Sequence, residues 1–185
     1  MAKQSRAAPP RRGRPASADA RAPSGRFPKR FAAKVHTETV SLSKSDLPAP
    51  IARADLVLID TEHAGHSFEA RVFLNNPTAN ADTPMTEDAG YAGTFHVLGH
   101  GGCFGDAGHC EVNDRGKAAT DLRGLHPLTP TRKEMIVTEA LKRVLDSGDL
   151  KTVTLVPLAI GRPATRNPAE EDVLNYSSLK LLTYA

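Results

Sequence analysis

The chain has 185 residues and a formal net charge of +3, with 39% hydrophobic residues, 24% charged residues, 5% aromatics and no Trp. That length suits one domain. The sparse aromatics exclude a base-stacking single-strand binder, and no apolar run approaches the roughly 18 residues of a membrane helix. The charge is divided: residues 1–34 hold ten Lys and Arg against one acid, Asp19, a net +9, whereas the other 151 residues hold 14 bases and 20 acids, a net −6.

Residues 1–34 are rich in Pro, Ala, Gly and Ser and have few apolar side chains to bury, so they read as a disordered basic tail on a body formed by residues 35–185. A basic arm attracts phosphate backbones, acidic lipids or acidic protein faces. Nucleic acid therefore enters the reading only through this tail, for which a solvated linker or leader is the plainer account. Arg11-Arg12 is not followed by an apolar stretch, so no secretory signal is evident and the cytoplasm is the expected compartment. The Arg-rich, acid-poor composition also fits an organelle transit peptide.

The body reads as mostly strands. Val35–Leu42 (VHTETVSL) alternates and is rich in β-branched residues, and Pro48 and Pro50 then break the chain. Asp55–Glu62 is apolar enough to be buried on both faces. Ser67–Asn75 alternates, with Phe68, Ala70, Val72 and Leu74 on one side and Glu69, Arg71 and Phe73 on the other, the pattern of a half-buried strand. Asn75-Asn76-Pro77 ends it. A polar loop over residues 78–90 closes at Gly90, and Tyr91–Leu98 (YAGTFHVL) resumes strand character.

A glycine-dense loop, Gly99–Cys110 (GHGGCFGDAGHC), comes next, and residues 111–130 are polar and irregular. Ile136, Val137, Ala140, Leu141, Val144 and Leu145 have the helical period. Thr131 and Glu134 are spaced as a capping box, and Gly148 is placed as a C-terminal stop. Leu150–Ile160 and Val173–Tyr184 are the last strands. Six or seven short strands with one helix of about four turns, and no βα alternation, predict a mainly β, antiparallel sandwich or small barrel.

The richest chemistry lies at the glycine loop. His96, His100, Cys103, His109 and Cys110 fall within fifteen positions. Imidazole and thiolate are common zinc and copper ligands, and the glycines at 99, 101, 102, 105 and 108 would let the backbone fold these side chains toward one point. Two other readings stand beside a metal site: a disulfide between Cys103 and Cys110, the only cysteines, or a structural loop with surface histidines. His63 and His66 form a weaker pair at another turn. Asp82, Glu87 and Asp88, and Glu170, Glu171 and Asp172, read as solvated loop acids. The chain has no G-x-S-x-G elbow, Walker loop or G-x-G-x-x-G.

Three stretches in order resemble the C-terminal domain of plant-type polyphenol oxidases, the tyrosinase and catechol oxidase branch of type 3 copper proteins. They are LVLIDTEHAGHSFEARVFLNN (residues 56–76), YAGTFHVLGHG (91–101) and MIVTEALKRVLDSGDLKTVTLVPL (135–158). A weaker counterpart covers 170–184. The resemblance implies a jelly-roll-like β-sandwich that packs over the di-copper site of a helical catalytic domain and blocks it with a bulky side chain. Leu98 and Phe104 are the candidates for that partner-blocking role. The family's catalytic half carries six copper-binding histidines on a four-helix core; this chain has seven histidines, none on its predicted helix. The resemblance therefore implies a non-catalytic accessory or shielding domain, without oxidase activity of its own, whose partner is a type 3 copper oxidase catalytic domain or subunit. The alternative is a copper- or zinc-binding protein that uses the 96–110 loop, with copper delivery as one role.

Overall fold

The computed structural model describes residues 29–47, 50–101 and 128–185; most of the basic segment, and Phe104, Cys103, His109 and Cys110, lie outside the described residues. The strands are β1 (Arg30–Ala32), β2 (His36–Leu42), β3 (Arg53–Thr61), β4 (Phe68–Leu74), β5 (Tyr91–Val97), β6 (Thr131–Ile136), β7 (Leu150–Ile160) and β8 (Ser178–Tyr184), with one α-helix, α1 (Thr138–Ser147), between β6 and β7. Among the described residues, the mainly β, antiparallel two-sheet architecture with one α-helix is the one read from the sequence. No described helix is long and apolar enough to cross a membrane.

One sheet runs β1-β7-β4-β5, with β2 also paired to β7; the other runs β6-β3-β8. Every pairing is antiparallel. β1 and β2 share one edge of β7 in succession: Arg30–Ala32 pair with Ile160–Leu158, and His36–Leu42 pair with Leu155–Leu150. β1 thus begins the folded body ahead of the residue-35 boundary that charge and composition suggested. Three residues of a basic stretch are drawn into the sheet because β7 is long enough to accept a second ladder.

The two sheets enclose one apolar core. Leu56 and Leu58 of β3, Val72 of β4, Leu155 of β7 and Leu141 and Leu145 of α1 are buried in it. Each such side chain contributes about 1.5–3 kcal/mol relative to exposure. β3 is buried on both phases, since Asp55 and Val57 alternate with Ala54, Leu56 and Leu58 and are all buried.

Two sequence expectations are corrected. Thr131 and Glu134 do not cap a helix; they lie in β6, where Glu134 pairs with Val57 and Thr131 with Thr61 of β3. The helix begins only at Thr138, whose Oγ1 accepts the Ala54 backbone N–H while Val137 N–H donates to Ala54 O. Pairing with β3 overrides the helical preference of Lys133, Glu134 and Met135. Nor is β4 half-buried. Phe73, on its outer side, is 0% exposed, because the 77–91 segment folds over it and packs Ala79, Ala89 and Tyr91 around Phe73 and Val156. That cover is fixed by polar contacts: Arg71 donates to Ala81 O, Asn76 Nδ2 to Ala89 O, and Leu74 N–H to Gly90 O. Gly90 is left-handed (φ +81°), as only glycine adopts freely.

Candidate functional site

The second resembling block ends in a corner where the segment after β5 meets the turn between β3 and β4. Gly99 N–H donates to Ser67 Oγ (3.0 Å), His100 N–H to His63 O (3.0 Å) and Gly101 N–H to Gly65 O (2.7 Å). The approach is close enough that a Cβ on Gly99 would lie 2.3 Å from Gly65 O. His63 Nε2 donates to Thr129 O, and its ring lies 5.4 Å from that of His100. Leu98 stands one residue before this clamp and is 81% exposed. An apolar side chain is thus held in solvent on a fixed backbone, flanked on its other side by buried Val97.

Of the five sequence-predicted ligands, His96 and His100 lie among the described residues. His96 points out from β5 within 3.8 Å of Glu69 Oε2, in a network that also holds Arg30 and Arg71. Burial would raise the Glu69 carboxyl, but Arg71 and Arg30 outweigh it and hold it below its ordinary value. His100 instead lies against His63. Among the described residues no three His, Cys, Asp or Glu side chains converge as a metal site; Cys103, His109 and Cys110, and Phe104, lie outside those residues. Asp82, Glu87 and Asp88 lie on the segment over β4, where Glu87 pairs with Arg143.

A second polar centre was not singled out from the sequence. After a 3-10 turn at Pro168–Glu170, residues 171–177 form a strap rather than the first half of the last strand. The strap ties the two sheets together: Lys34 N–H donates to Glu171 O, Glu62 N–H to Asn175 O, and Ser177 N–H to Ile59 O. Leu174 is its plug in the core, at 0% exposure. The acids read as solvated are engaged. Asp172 accepts from Lys34 Nζ and His36 Nε2, both at 2.8 Å. Glu171 accepts from the Ala164 backbone N–H (2.7 Å), and its other oxygen lies 3.1 Å from His66 Nε2. Tyr176 donates its phenol proton to Glu38 at 2.5 Å. Burial first, then Glu38, push that phenol well above its ordinary range, so it stays protonated.

One signal could have exposed this centre. His36 and Glu38 share the phase of Val40 and Leu42, which pack against the core. Polar residues in the inward register of an amphipathic strand need partners, and the strap supplies them.

The Asp172 contact makes stability depend on pH. Burial raises its carboxyl, but Lys34 and His36 more than offset this and hold it below its ordinary value. A depressed carboxyl stabilises the fold above its unfolded pKa, about 3.9, and loses that contribution as pH falls through the folded value. Asp172→Asn is therefore expected to lower stability at pH 6–7 and to converge on the unsubstituted protein only as pH falls below the depressed folded-state value. Urea midpoints across that range check it, and a gap that stays constant with pH would remove Asp172 from the account.

No family model matches the sequence, and no curated protein matches it significantly. Solved structures do match. Recombinantly expressed latent aurone synthase, a polyphenol oxidase, aligns with a TM-score of 0.44 and 19% identity over 86% of this chain and 26% of that one. The same enzyme from its natural source aligns with a TM-score of 0.43 and 18% identity over 83% and 25%. The chain spans about a quarter of the length of these polyphenol oxidases.

Proposed function

We propose that this chain is a non-catalytic shielding domain that docks on a type 3 copper oxidase and covers its di-copper site. The observation that carries the reading is where the three ordered sequence blocks fall. Residues 56–76 run from within β3 through its turn to the end of β4; residues 91–101 cover β5 and the clamped corner; residues 135–158 run from the end of β6 through α1 into β7. The blocks thus contribute strands to both sheets, together with the helix, of one sandwich. Leu98, the blocking candidate of the second block, has the exposure such a role requires. An apolar side chain held rigidly in water gains from entering a partner's apolar cleft without first losing much backbone freedom.

Co-expression of the full chain with a type 3 copper oxidase catalytic subunit, followed by pull-down and a diphenol oxidation assay, tests the proposal. The expected result is a stable complex with reduced oxidation, and no oxidation by this chain alone. Leu98→Asp is expected to weaken the complex at least about tenfold, about 1.4 kcal/mol, with the thermal midpoint unchanged. Neither binding nor altered activity would sink the reading, and full binding by the Asp variant would remove Leu98 from it.

A further inference from the structure

Glu38 lies in the inward register of β2 and is half-buried under the strap. Tyr176 is its hydrogen-bond partner, and among the described residues no Lys, Arg or His lies within ion-pair distance of it. The nearby basic side chains are engaged elsewhere: Lys34 and His36 both contact Asp172. A carboxylate partly withdrawn from water is favoured by a cationic partner, because a neutral hydrogen bond replaces only part of the lost hydration. Beside Glu38 opens a cleft of about 490 Å³, lined by His36, Glu38, Asn175, Tyr176, Ser177 and Ser178. Leu174 lines its base and is fully buried. The cleft therefore offers an uncompensated negative charge, an aromatic ring and hydroxyl and amide groups.

We propose that this cleft is a binding site for a small organic ammonium ion, with Glu38 as its counter-ion and the ring of Tyr176 as its aromatic wall. The two groups act on the same charge: the carboxylate attracts it directly, and the ring quadrupole attracts it through its face. The Tyr176–Glu38 hydrogen bond holds both in place before the ligand arrives, which lowers the ordering cost of binding. A neutral polyol would leave the carboxylate charge uncompensated. A metal ion would require further ligands, and no described group of three surrounds it. The volume falls within the range of small-ligand sites, roughly 300–1,000 Å³.

The test is a titration of the full, isotope-labelled chain with tetramethylammonium at constant ionic strength, read from backbone amide shifts, with glucose and acetate as neutral and anionic comparators. Saturable shifts confined to residues 36–38 and 174–178 are expected with the cation only. Glu38→Gln should weaken binding at least about tenfold. Tyr176→Phe, which keeps the ring, should bind within about threefold of the unsubstituted chain. Tyr176→Leu, which removes the ring, should lose most of the affinity. Absence of saturable shifts, undiminished binding by the folded Glu38→Gln variant, or equal binding of glucose would each overturn the proposal.

Discussion

Leu174→Ala is expected to destabilise the protein by roughly 2–5 kcal/mol, the range for deleting a buried leucine and leaving part of its cavity. The thermal midpoint should fall by about 5–15 °C in a chain of this size. The argument rests on what holds the strap. Its hydrogen bonds to β2 and the residue pair before it run from Asp172 to Lys34 and His36 and from Tyr176 to Glu38. Side-chain pairs near the surface contribute little each, commonly below about 1 kcal/mol. Leu174 is the strap's fully buried residue and sits in the main core. Its loss leaves a void and also slackens the segment that positions Tyr176 and Asp172, so the cost should exceed that of Asp172→Asn. Equilibrium urea denaturation measures it. A cost under 1 kcal/mol would mean that the polar contacts, not the apolar plug, fix the strap.

Gly99→Ala should cost about 1–3 kcal/mol, the usual penalty for forcing an extra methyl into packed structure. The new Cβ would lie 2.3 Å from both Gly65 O and the His66 carbonyl carbon. These are backbone atoms, which cannot rotate away, so the corner must open and the hydrogen bonds from Gly99, His100 and Gly101 must lengthen. Gly65→Ala is the matched control. It lies in the same turn, yet a Cβ there meets nothing within 4 Å, so it should change stability by less than about 0.5 kcal/mol. If both variants behave alike, the corner is not clamped and the rigid presentation of Leu98 fails with it.

β2 and β4 were legible from side chains that alternate in sequence, and β3 and β7 from continuous apolar, β-branched runs bounded by turn residues. β6 was not. Ile136 and Val137 satisfy a helical and a strand period equally over so short a span, and the choice is made by β3, which lies some eighty residues earlier in sequence. Burial of Phe73 was equally invisible, since it depends on a polar-looking loop folding back over the sheet. The histidines were flagged as a set by their spacing. His96 belongs to a strand face beside Glu69, and His100 to the turn beyond it beside His63. The Glu38–Tyr176 centre was missed because its halves are 138 positions apart.

The divided edge of the five-stranded sheet has a consequence for self-association. A long, flat edge strand invites pairing with another chain. Here that edge is two pieces, three residues of β1 and seven of β2, and they are separated by a break where Lys34 N–H turns away to Glu171. An incoming strand finds no continuous row of donors and acceptors across the break, and it meets the Lys34 ammonium held there by Asp172. The clasp that secures the strap therefore also interrupts the edge at which fibre-like stacking would otherwise nucleate.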